Sequence, residues 1–313
     1  MFPVLDRERT IAEPGYNRFH TVPGGILVTL SIGSVYAWST FNGPLTRALG
    51  VVAPSGSDWS LGTVLPIFSI CACTLGVTTT TLGPWAERVG PRKVAMTAAV
   101  AWTSGLLTSA VGCELHSLPM VYFGYGVLGG IGWGLGYISP VSNLMKWFPD
   151  RRGLATGMAL ASFGGGAILA APLNKYLCET FAVLPEYLGT VDEVSLITED
   201  GRRYVESGAP DAPGALQEVV VASASDLMNF PGAQEGVYLV GTGDTGVVGC
   251  FLALGAIHFT AMSLGALIQK VPREGWTPDG WEAPKEDDSA GTNINQRALG
   301  DVDHNTALRT PQF

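Results

Sequence analysis

The sequence predicts an all-α integral membrane protein with six transmembrane helices. Two observations carry that prediction. Of 313 residues, 47% are hydrophobic and only 14% are charged, against about 25% charged in an ordinary soluble domain. The charges are also segregated. The stretches 24–46, 61–83, 95–113, 120–144, 154–174 and 246–268 contain no Asp, Glu, Lys or Arg. A helix needs roughly 20 apolar residues to cross a bilayer core, and each stretch supplies them, 95–113 only just. Backbone groups in lipid must be satisfied within the segment, which selects helices over open strands. The net charge of -9 has the wrong sign for a phosphate-binding surface, so no nucleic-acid partner is expected. The five cysteines, mostly within apolar runs, form no disulfide framework and no zinc spacing.

The elements follow in order. Residues 1–23 form an arm with Arg7, Arg9 and Arg18. Spans one to five occupy 24–174, and the connections 84–94 (Arg88, Arg92, Lys93) and 145–153 (Lys146, Arg151, Arg152) are basic. The 47–60 connection has only Arg47 and the 114–119 connection has no basic residue. Lys and Arg in short loops mark the cytosolic side, so both termini are expected there. Residues 175–245 break the pattern: 71 residues with 12 acidic and 3 basic side chains form a long acidic extracytosolic loop, either a small cap or partly disordered. The sixth span, 246–268, leads into 269–313, whose Gly/Pro/Asp-rich composition reads as a cytosolic linker. The plasma membrane is the default location.

One connection carries a motif. Gly83-Pro84-Trp85-Ala86-Glu87-Arg88-Val89-Gly90-Pro91-Arg92-Lys93 resembles the G-x-x-x-[DE]-[RK]-x-G-x-[RK]-[RK] signature of the major facilitator superfamily. Its place between the second and third spans matches as well. The stretches SVYAWSTFNGPL (34–45), KWFPDRRGLATGMALASFGGGA (146–167) and 236–281 resemble the oxalate:formate antiporter family with its monocarboxylate-transporter-like members. That resemblance implies twelve helices in two six-helix halves around a central site, and small carboxylates moved by alternating access. This chain would be the N-terminal half. The stretch NTALRTPQF (305–313) resembles the lead into a seventh helix, so a fragment or truncated product lacking its C-terminal half is expected. The alternative is a non-transporting six-helix membrane protein that packs with another membrane subunit. The expected partners are a small carboxylate anion, the lipid bilayer and the missing half; no cofactor and no metal is expected.

The site candidates lie in the spans. Tyr36 and Trp38 sit about 160° apart on a regular helix, so both enter one cavity only if Gly33 or Pro44 bends it. A tyrosine hydroxyl can donate to a carboxylate while the ring excludes water, which favours Tyr36. Tyr137, just before Pro140, is the third substrate-binding candidate. Gly126, Gly130 and Gly134 recur every four residues and, with Gly164, Gly165 and Gly166, are read as helix-packing positions. The run Gly124-x-Gly126-x-x-Gly129 matches a dinucleotide fingerprint, but the apolar sequence after it lacks the amphipathic helix that motif requires. The spans hold no carboxylate; His258 is a possible proton relay. In the signature, Gly83, Glu87, Arg88, Gly90, Arg92 and Lys93 form a conformational loop by resemblance. Glu87 would meet a helix end of the second half, and otherwise stay solvated, with Arg88 finding local partners such as the 145–153 connection. No motif supports an enzyme.

Overall fold

The structure, a computed structural model, describes residues 3–206, 215–230 and 232–281. Five helices are long and apolar enough to cross a membrane: α1 (Arg18–Leu45), α2 (Leu61–Val89), α3 (Pro91–Glu114), α5 (Pro149–Phe181) and α6 (Val247–Ile268). The fourth predicted span is also helical, in the consecutive stretches Leu118–Val121, Tyr122–Gly129 and Gly130–Trp147, together α4. Its seven glycines and its Tyr and Trp residues make it less apolar. Six equally clear spans is therefore more than composition supports.

The helices overrun the apolar stretches. The predicted 84–94 connection is reduced to one residue, Gly90, because α2 continues to Val89 and α3 starts at Pro91. A helix does not stop at the edge of its apolar run; its last charged turns extend into water while the backbone ladder continues. Gly90 makes the turn at φ +87°, a left-handed conformation that favours glycine.

Small residues decide the packing. Gly33 of α1 lies against α5 so closely that a Cβ would overlap the Phe163 carbonyl oxygen, and a Cβ on Gly166 of α5 would overlap the Leu30 carbonyl oxygen. Just past this contact, α1 tightens into a 3-10 helix over Ser34–Phe41. In α4, Tyr122–Gly129 widens into a π-helix, where Gly124 and Gly129 rest on Gly105 of α3. Leu, Val and aromatic side chains of α1, α3, α4 and α6 form the buried centre. By contrast Val77, Ile168, Leu169 and Phe259 point outward and are exposed, as expected of helices whose outer solvent is lipid rather than water.

The all-α expectation fails between α5 and α6. Five strands, β1 (Tyr187–Gly189), β2 (Ile197–Glu199), β3 (Arg202–Glu206), β4 (Leu216–Ala222) and β5 (Gly236–Leu239), form an antiparallel sheet in the order β1-β5-β4-β3-β2. The run Val219-Val220-Val221-Ala222 is apolar on both faces because both are covered. Val219 and Val237 pack with Val205, Leu188 and Leu196; Val220, Ala222 and Tyr238 pack on Val52 and Ala53 of the α1–α2 connection. Polar contacts reinforce that seat. Glu218 accepts from Gly56 N–H at 2.9 Å and Ser57 Oγ at 3.0 Å, while Asp58 accepts from the N–H groups of Leu49, Gly50 and Ser55.

Residues 3–17 strap the end of the bundle where α2 meets α3. Ala12 N–H donates to the Val271 carbonyl and Val271 N–H to the Thr10 carbonyl, both at 2.9 Å. Separately, Arg273–Trp281 holds two turns, closed by Trp276 N–H to Arg273 O and Trp281 N–H to Pro278 O. The expected continuation over 282–313, including 305–313, lies outside the described residues.

Candidate functional site

Two aromatic clusters separate the sequence candidates. The first is an open patch built from four helices. Tyr36 of α1 is 52% exposed. Its ring meets Phe163 of α5 at 5.2 Å, Trp133 of α4 at 5.8 Å and Phe68 of α2 at 6.5 Å between centroids. Tyr137, one turn after Trp133, reaches Phe163 at 5.7 Å. Tyr36 and Tyr137 are thus brought together around Phe163. Among the described residues their hydroxyls have no hydrogen-bond partner, and the buried Trp133 Nε1–H has no acceptor. A buried N–H without an acceptor is uncommon in folded proteins; the Nε1–H of Trp38 is in the same condition.

The second cluster is interior. Trp38 does not join Tyr36: it is 4% exposed and packs on Tyr125 at 4.3 Å and Phe41 at 5.7 Å. The 3-10 geometry turns about 120° per residue, so two positions along the helix face different sides. Tyr125 leads on to Trp102, and Trp102 Nε1 donates to His258 Nδ1 at 2.9 Å. His258 is buried in the contact between α3 and α6. An imidazole nitrogen that accepts a hydrogen bond carries no proton, so this partner holds the neutral ring. His258 thus lies between two helices and outside the open patch.

The glycines divide likewise. A Cβ on Gly126 would come within 2.8 Å of Ile70 Cγ2, on Gly130 within 2.5 Å of Thr74 Cβ, and on Gly134 within 2.8 Å of Thr78 Cβ. The four-residue repeat on α4 therefore meets a four-residue repeat on α2. Gly166 is at the α1–α5 contact. Gly165 meets only Leu30 Cδ2 at 3.7 Å, and Gly164 has nothing within 4 Å, so the packing expected of Gly164 is not found: it faces away from the neighbouring helices.

At the α2–α3 turn, Glu87 and Arg88 are exposed on the last helical turn of α2, without an ion pair among the described residues. Arg88 does not reach the 145–153 connection. Asp150 there is taken by Arg18, with two hydrogen bonds at 2.5 and 2.9 Å. Arg92 donates to the carbonyls of Gln269 and Val4, and a Cβ on Gly90 would touch Arg7 Cγ at 3.2 Å. Gly83 faces open space, and the Lys93 carbonyl accepts from Thr97 Oγ1. Within the described residues the motif turns the chain at Gly90 and ties Arg92 to the arm and to Gln269.

Sequence reasoning missed Phe68, Trp133 and Phe163. Trp133 was within reach: it stands four residues before Tyr137 and so shares its helix face. Phe68 and Phe163 carry no such signal. A cavity of about 980 Å³ lies elsewhere, between the Arg47 end of α1, the Lys175 end of α5 and the insert residues Met228 and Phe230.

The family model of the Major Facilitator Superfamily matches residues 25–185, half of the chain; the chain belongs to that superfamily. It is 32% identical over 163 residues to the "Uncharacterized MFS-type transporter YhjX" of Escherichia coli (strain K12), covering 52% of this chain and 38% of that protein. It is 27% identical over 194 residues to "Apicoplast pyruvate carrier 1" of Toxoplasma gondii, covering 53% and 36%. It is 28% identical over 159 residues to the "Oxalate:formate antiporter" of Oxalobacter formigenes, covering 51% and 35%. The chain spans little more than a third of the length of these curated relatives.

Proposed function

We propose that the chain is the N-terminal six-helix module of a secondary transporter for small organic anions, such as oxalate, formate or other monocarboxylates, working by alternating access. The observation that carries this reading is the open patch of Tyr36, Tyr137, Phe68, Trp133 and Phe163. It offers hydroxyl and indole donors without bonded partners on a surface free of carboxylates. Such donors suit a carboxylate, and the rings exclude the water that would weaken those bonds. The names of the pyruvate carrier and the oxalate:formate antiporter support the same substrate class.

A bare aromatic patch binds an anion weakly without a cation opposite. We therefore read the patch as one wall of the site, with a second six-helix half as the other. The charge pattern supports both termini in the cytosol and the insert outside; the plasma membrane is the default location. A cysteine introduced at the exposed Ser195 should be labelled from outside intact cells by an impermeant maleimide; labelling only after permeabilisation would reverse the orientation.

Uptake of labelled oxalate or formate into proteoliposomes, with and without a second half, tests the reading. Tyr36→Phe keeps the ring and loses one charge-assisted hydrogen bond, about 1.5–3 kcal/mol, so apparent affinity should fall roughly 10- to 100-fold. Unchanged uptake in Tyr36→Phe would remove the patch from the transport path.

A further inference from the structure

The two ends of the insert leave the helices side by side. α5 ends at Phe181 and α6 begins at Val247. Between them Val183 and Asp244 exchange backbone hydrogen bonds of 2.8 and 2.9 Å. Gly246, at φ +77°, lies so near α5 that a Cβ would overlap the Cys178 carbonyl oxygen. About one turn into each helix stand Cys178 and Cys250, both buried and both free thiols. Cys250 Sγ donates to the Asn174 carbonyl at 3.7 Å, one turn before Cys178 on α5, so both cysteines stand at the α5–α6 contact. Cys250 is fully enclosed, whereas Cys178 lines the cavity of about 980 Å³.

We propose that Cys178 and Cys250 are a modification site, a dithiol that closes to a disulfide across the base of the insert. The oxidant class is a low-molecular-weight disulfide such as oxidised glutathione, entering through that cavity. The Cys178 thiolate attacks one sulfur of the oxidant and expels a thiolate, leaving a mixed disulfide at Cys178. The Cys250 thiolate attacks the Cys178 sulfur and expels the second small thiolate. Two cysteines are oxidised and one small disulfide is reduced to two thiols, which take up the two cysteine protons. The closed bridge encircles the whole insert and fixes α5 to α6 where the Val183–Asp244 pair already aligns them. Joining residues far apart in sequence also removes freedom from the unfolded chain.

The test treats the full chain, in membranes or detergent, with oxidised glutathione. The chain is then digested without reduction and its peptides are identified by mass. The exposed Cys73 reports that the reagent acted. A cross-linked peptide pair joining Cys178 to Cys250 is expected, with an unfolding temperature raised by several degrees and restored by dithiothreitol. Cys178→Ser and Cys250→Ser should each abolish both effects. Recovery of both thiols free, or of Cys178 as a glutathione adduct beside free Cys250, would overturn the proposal. Those outcomes are read on the unsubstituted chain, so they do not depend on either variant folding.

Discussion

Glu87 and Arg18 show how differently two charges at the same end of the bundle are used. Glu87 is exposed and holds no ion pair among the described residues, so Glu87→Ala should leave the stability of this chain within about 0.5 kcal/mol. Arg18 is mostly buried and bound through two hydrogen bonds to Asp150, one to the Trp147 carbonyl, and the Phe148 ring 4.6 Å away. Arg18→Ala strands Asp150 and should cost roughly 1–3 kcal/mol. Thermal unfolding of both variants in the same detergent checks the contrast. A large loss in Glu87→Ala would show that its carboxylate is satisfied within this chain. The sequence showed both as charges flanking apolar spans. Which of them found a partner depended on where the arm folds back, and no local pattern encodes that.

Among the elements, the contact between α2 and α4 is the one most dependent on residue size. Gly130→Ala would press a methyl to within 2.5 Å of Thr74 Cβ and 2.7 Å of the Cys71 carbonyl oxygen. The helices must then part, at a cost of about 1–3 kcal/mol. Gly164→Ala meets nothing within 4 Å and should gain up to about 1 kcal/mol from helix propensity. Opposite signs in unfolding temperature are expected, and equal shifts would refute the close-contact account. Gly249 would be a poor neutral control, since its Cβ would meet the Phe181 ring at 2.5 Å. The four-residue glycine repeat on α4 was legible in the sequence because small-residue spacing reports helix contact directly. Its partner row, Ile70, Thr74 and Thr78, was not, because those residue types occur on any helix face.

Across the whole molecule, the insert and the helices should respond differently to acid. Asp226 accepts from Ser223 Oγ at 2.6 Å and Ser223 N–H at 3.0 Å, and these bonds hold its carboxyl below the usual carboxylate range. Glu193 is lowered likewise by the N–H of Thr190. A lowered folded value means that the contribution is complete above the unfolded carboxylate pKa of about 4, and lost as pH falls through the lower folded value. The sheet should therefore loosen below about pH 4, together with the Arg18–Asp150 pair at the start of α5, while the apolar stretches of the helices, which hold no carboxylate, persist. Tyrosine fluorescence and sheet circular dichroism followed against helix signal would show the order; simultaneous loss would contradict it.

The sequence by itself determined the helical spans, the site of the insert, the Gly-turn motif and the superfamily, because each is written in composition or short-range spacing. Bilayer thickness sets span length, and helix period sets which glycines align. Only the tertiary structure decided that the insert is a five-stranded sheet seated on the α1–α2 connection. It also decided that Trp38 and His258 belong to the interior while Tyr36 and Tyr137 meet Trp133 on an open patch. Those outcomes depend on a 3-10 stretch that redirects α1 and on strand pairs far apart in sequence. Non-local contacts of that kind leave no periodicity to read, because their free energy appears only when distant segments meet.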